Sequence, residues 1–233
     1  MIKFYNKHKF KELFYNNNNF QNYFTNILTK EYEYRYNLLT NSIFDIYYKN
    51  IINFSKKEMN IIVNLINSFK NQQNWNFFKL DKSIDKGMPF TVDNYIFIPS
   101  NIFDNDLNYI RDTLIHEQIH IHQYNNIESY IFFYKKCGFD LINDNLKVYI
   151  KKKYNILSNP DSPDIFIYNK QYIPLIIINN NNKNHETYLY NIKNNKLESI
   201  DLFKKIFNIN NNLSSPHEIF AEKFVNSYIL NYK

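Results

Sequence analysis

The chain has one cysteine (Cys137), two glycines, one alanine (Ala221) and two arginines (Arg35 and Arg111) among 233 residues. A lone cysteine excludes an internal disulfide and every cysteine-based zinc framework, and makes an intracellular, reducing location the expectation. Long apolar runs are missing as well. The longest purely aliphatic stretch, Leu175 to Ile178, is far too short to span a bilayer. The opening residues, Met1 to Lys9, interrupt their apolar positions with Lys and Asn, so they lack the continuous apolar segment of a signal peptide. The expectation is a chain neither secreted nor transmembrane. No repeat, Gly/Ser linker or Pro-rich segment divides it. Charged residues at 21% and a mean hydropathy of -0.53 fit neither a highly charged disordered chain nor a membrane protein. One substantial core, or a catalytic domain with a smaller lobe, does fit.

What abounds is asparagine, with 42 residues, and isoleucine, with 34. Residues with A/T-rich codons are inflated and those with G/C-rich codons nearly absent, which reads as genome drift. Asn runs such as 16–19 and 179–182 are then loop filler. The corollary is that a residue this genome avoids has a physical reason where it does appear. The 28 Lys and Arg against 22 Asp and Glu leave +6, concentrated in residues 1–75. That basic first third could touch nucleic acid, but no nucleic-acid motif accompanies it, and cheap lysine codons are the better account.

Residues 1–75 read mostly as helix, most clearly from Lys56 to Lys70, where Met59, Ile62, Val63, Leu65, Ile66 and Phe69 form a helical stripe. From Trp75 the texture changes. Residues 75–80 and 95–98 read as strands joined by a loop through Asp81, Gly87 and Pro89, followed by a helix over 104–124. Helices over 127–135 and 140–154 come next, then a turn at Asn159-Pro160-Asp161-Ser162-Pro163. Strands over 165–168, 172–178 and 186–190 form an antiparallel meander, and a helix over 216–230 closes the chain. Helices, then strands, then helices make an α+β pattern. The expected organisation is a helical region, 1–75, packed on or against a domain spanning 76–233.

One motif carries chemistry. His116-Glu117-Gln118-Ile119-His120 lies inside the helix predicted over 104–124. Histidines four apart share a helix face about 5–6 Å apart at Cβ, which suits two ligands of one tetrahedral zinc. Glu117 is rotated about 100° from His116, so it can act as general base on a water at the metal without ligating the metal itself. His122 points to the other side of the helix and reads as a residue supporting a ligand from behind or lying on the surface, not as a ligand itself. Asp112, one turn before His116, reads as a solvated helix acid.

A catalytic zinc needs a third protein ligand and one open position. The better candidate is Glu218, in Ser215-Pro216-His217-Glu218-Ile219-Phe220-Ala221-Glu222. Ser215 and Glu218 also make a capping box around Pro216 at the first helical position. Capping alone, or Glu222 as the ligand, are therefore the alternatives. Ala221, the only alanine, falls one turn after Glu218, where a small side chain permits close approach. Glu222 could hydrogen-bond a ligand imidazole.

His-Glu-x-x-His paired with a later helix bearing Glu-x-x-Ala-Glu resembles the gluzincin zinc metallopeptidases. It is closest to the compact minigluzincins and to phage-element anti-repressor proteases. It also looks like a set of uncharacterised proteins of large DNA viruses, in which the Leu-Ile-His-Glu-x-x-His helix, an Asn-Pro-Asp turn and a Pro-x-Glu-Ile-x-Ala-Glu helix occur in this order. The motifs cover about a quarter of residues 88–230. The resemblance implies a zincin-like catalytic domain with a small, mostly antiparallel sheet, an active-site helix and a C-terminal glutamate helix. It implies one Zn2+ on His116, His120 and Glu218, Glu117 as base, and Glu222 orienting a ligand histidine. It further implies that Tyr95, Ile96 and Phe97, on an edge strand, bind an extended peptide by strand addition, in an infected cell's cytoplasm or a virion.

The oxyanion donor such hydrolysis needs is least determined. Tyr168 is the first choice, with His217 and Tyr172 behind it. The expected function is a zinc metallopeptidase acting on a peptide or protein. An inactive zinc-binding interaction module, or a basic nucleic-acid-associated protein, are the alternatives.

Overall fold

The structure is a computed structural model that describes residues 1–27, 43–69, 73–157, 164–178, 185–211 and 213–230. Arg35, Lys70, the Asn159–Pro163 turn and the Asn179–Asn182 run lie outside them. The architecture is mixed α+β, and its contacts divide the chain into two compact units, 1–125 with 224–233 and 126–223. Among the described residues no helix is long and apolar enough to cross a membrane.

The first unit comprises β1 (Ile2–Phe4), α1 (Lys7–Asn16), α2 (Asn18–Asn22), a π-helical turn (Tyr23–Ile27), α3 (Ile43–Asn50), β2 (Ile51–Ile52), α4 (Lys56–Asn67), β3 (Trp75–Leu80), β4 (Phe90–Val92), β5 (Tyr95–Pro99) and α5 (Leu107–Asn125). Its sheet runs β1-β3-β5-β4, with β2 also on β3. β1 and β5 both lie parallel to β3, and β4 lies antiparallel to β5. β2 lies antiparallel to β3, so this sheet is mixed, with two parallel and two antiparallel pairings. The three residues of β1, split by Lys3, carry too little periodicity to read as a strand, yet they pair with Trp75, Asn76 and Phe77.

Side chains alternate across a strand, and the alternation splits this core in two. Phe77, Ile96 and Ile98 face a cluster with Ile62 and Ile66 of α4 and Ile110, Leu114 and Ile121 of α5. Phe78, Leu80 and Phe97 face the aromatic side chains of the N-terminal helices, among them Phe10, Phe20, Phe24 and Tyr47. The N-terminal helices therefore cover one face of the sheet and the motif-bearing helix the other. α4 starts where expected because Ser55 and Glu58 close a reciprocal capping box.

The second unit holds α6 (Ile127–Lys136), β6 (Phe139–Leu141), α7 (Asp144–Lys153), β7 (Ile156–Leu157), β8 (Phe166–Tyr168), β9 (Tyr172–Ile178), β10 (His185–Asn191), β11 (Lys196–Ser199), α8 (Asp201–Phe207) and the start of α9 (Pro216–Leu230). Its sheet is the meander β11-β10-β9-β8-β6, antiparallel throughout, with β7 on β9. α7 lays Ile150 on Ile167, Ile173, Leu175 and Tyr190. The helix read over 140–154 starts later than expected. Phe139, with no exposed surface, is drawn into pairing with Tyr168, and the Asn143 side chain accepts from Leu146 N, capping a helix that begins at Asp144.

Candidate metal centre

α5 presents two stripes. Ile110, Leu114, Glu117 and Ile121 recur at helical spacing, which puts Glu117 in register with the buried apolar stripe and leaves it only 4% exposed. Beside it run His116, His120 and Gln123. The two imidazoles meet edge to face, their Nε2 atoms 2.9 Å apart. Two ligands held 2.0–2.1 Å from a tetrahedral zinc stand about 3.3 Å apart, so this pair lies close to the separation one ion requires. His120, 4% exposed, turns Nδ1 to Gln123 Oε1 at 2.8 Å.

Glu218 lies in the first turn of α9, where its backbone N–H donates to Ser215 Oγ at 3.3 Å. The cap expected at Ser215 is present, and a carboxylate at a helix N-terminus is favoured by the helix dipole. The donor atoms of His116, His120 and Glu218 lie within 4.8 Å of one another, and among the described residues this is the His/Cys/Asp/Glu group that could hold a metal ion. Two imidazoles and a carboxylate form a donor set that suits zinc. Glu222 accepts from Asn211 Nδ2 at 2.8 Å.

Other predicted residues are distributed differently. Tyr95, Ile96 and Phe97 are not on a sheet edge: β5 pairs with β3 on one side and β4 on the other. The edge falls to β4, because the turn at Asp93–Asn94 folds Phe90–Val92 back onto β5, a strand too short and too close to glycine and proline to be legible in the sequence. Backbone groups already engaged on both sides cannot take a further strand. Tyr168 packs its ring on Phe139, Phe203 and Phe207, with centroids 5.0, 5.2 and 5.3 Å away. Tyr172 sits on β9 opposite Asn191. His122 is exposed, and Asp112 pairs with Arg111 at 2.8 Å on the surface, as a solvated helix acid does.

Two residues emerge that motif reading missed. Gln123 is one, and its only sequence signal is a place three residues after a ligand-type histidine. Tyr134 is the other. It is fully buried, its hydroxyl lies 3.2 Å from His217 Nδ1, and its ring stacks on Phe220. Burial first, then the neighbouring Tyr130, Glu218 and Cys137, push its phenol far above the ordinary value, so it stays an O–H. With 21 tyrosines in the chain, nothing in the sequence could single it out.

No protein-family model, curated protein or solved structure matches this chain.

Proposed function

We propose that this chain is a zinc-dependent peptidase of gluzincin type, with His116, His120 and Glu218 as metal ligands and Glu117 as general base. The observation that carries the reading is the convergence of two imidazoles and a carboxylate within 4.8 Å, with a buried glutamate next in sequence to the first histidine. Held by these donors, zinc would supply a water with its pKa lowered towards ~7 and a Lewis acid for the scissile carbonyl. The chain's own residues do the rest. Glu117, held on α5 in register with Ile110, Leu114 and Ile121, receives the proton of the attacking water and returns it to the leaving amine. A buried carboxylate is suited to this because few waters compete for its oxygens. The substrate class is a peptide or protein, and the site acts inside a cell or a virion.

Plasma mass spectrometry of the purified protein, beside His120→Ala and Glu218→Ala, tests the ligand set. The expected result is about one zinc per chain, lost in both variants. Zinc lost in His120→Ala alone would move the third ligand to another residue. Zinc retained with no turnover of any protein substrate would make the chain a binding module. A wild type that holds no zinc even after reconstitution would sink the proposal.

A further inference from the structure

We propose that Gln123 is a positioning residue that presets His120 for the metal, an inference that rests on the ligand set proposed above. Gln123 is 1% exposed and His120 4%, and the 2.8 Å bond between Oε1 and Nδ1 lies where a low dielectric strengthens it. The amide oxygen is an acceptor only, so the proton on this bond belongs to His120 Nδ1. In the neutral ring Nε2 then carries a lone pair. That lone pair points towards His116 Nε2, 2.9 Å away. His120 is thus already in the tautomer that ligates through Nε2.

The acceptor is also neutral. A carboxylate on Nδ1 would raise the basicity of the imidazole and add a negative charge beside the metal. An amide fixes the ring and its tautomer without either effect. Gln123 therefore sets orientation at the expense of affinity, and replacing it with glutamate should tighten the site.

Zinc dissociation constants, measured by competition against a chromophoric chelator, test this in wild type, Gln123→Met and Gln123→Glu. Methionine keeps the volume and removes the acceptor, whereas glutamate keeps the acceptor. The expected result is a loss of about 10- to 100-fold in Gln123→Met and wild-type or tighter binding in Gln123→Glu. Nitrogen-15 NMR of the metal-free proteins supplies a second readout: His120 should be Nδ1–H in wild type and Gln123→Glu, and not in Gln123→Met. Wild-type affinity in Gln123→Met, or an equal loss in Gln123→Glu, would overturn the inference while leaving the ligand set standing. Zinc binding indifferent to His120→Ala would overturn the ligand set, and the inference with it.

Discussion

The hydroxyl of Tyr134 and Nδ1 of His217 lie 3.2 Å apart, between two side chains with 0% and 5% of their surface exposed. The phenol ring meets the imidazole nearly at right angles, and Phe166 closes on His217 from 5.7 Å. A polar pair sunk among aromatic rings, one residue before Glu218, holds the first turn of α9 to the body of its unit. Tyr134→Phe keeps the packing and removes the hydroxyl. The expected loss is about 1 kcal/mol, which lowers the melting temperature by about 2–4 °C. Tyr134→Ala should cost about 3–5 kcal/mol. An unchanged melt in both variants, followed by circular dichroism, would remove Tyr134 from this role.

The Glu58 carboxylate accepts from Lys79 Nζ at 2.7 and 2.8 Å and from Ser55 N at 2.7 Å. Burial on its own would raise this carboxyl, but the bonds from Lys79 and Ser55 outweigh it and hold the group below the ordinary value. A folded-state pKa below the unfolded one contributes stability that is complete above the unfolded value, about 4.3, and is lost as pH falls through the folded value. Glu58→Gln should cost about 2 kcal/mol at pH 7. It should also flatten the decline in stability below about pH 4.3, measured by urea unfolding across pH. Parallel wild-type and variant profiles would count against the pair.

Gly138 has φ +92, and a Cβ there would meet Asn169 Oδ1 at 2.5 Å and Tyr168 Cε2 at 3.0 Å. It follows Cys137, where α6 ends, the position at which a helix stop favours glycine. Gly138→Ala should cost about 1–3 kcal/mol in chemical denaturation. The substitution combines a left-handed backbone with a clash, so full stability in the variant would mean that the turn between α6 and β6 rearranges.

Zinc itself should stabilise the fold. A ligand bound only by the folded chain adds about 2.7 kcal/mol when its free concentration is 100 times the dissociation constant. The melting temperature should therefore rise with zinc in wild type, fall back on chelation, and stay flat in His120→Ala. Glu117→Gln should keep the zinc-dependent rise and lose hydrolysis by about 10²–10⁴-fold. Full turnover in Glu117→Gln would refute its role as base, and a flat wild-type melt would refute the metal centre.

The rarity argument from composition holds at three positions. Both glycines sit at positive φ, +70 and +92, and the single alanine, Ala221, is fully buried. Drift away from G/C-rich codons left these residues where backbone conformation or close packing requires them. Local patterns were legible for the same kind of reason. β9 is Tyr172–Ile178 and α9 is Pro216–Leu230, as periodicity and the Ser215 cap predict. β1, β4 and β6, of three residues each, were not, whereas β8, equally short, lies in the apolar run Ile165–Tyr168.

What the sequence by itself determined is whatever the helical period sets over a few residues: His116 and His120 on one face, Glu117 turned away from them, Gln123 within reach of His120. What only the tertiary structure decided depends on partners distant along the chain. β5 became an interior strand because Phe77–Leu80 and Phe90–Val92 took both of its edges, and Tyr134 came to rest beside His217 because α6 carries it there. A side chain's direction within one helix follows from covalent geometry. Its neighbours from other elements follow from which apolar faces bury each other, and that is a property of the whole core.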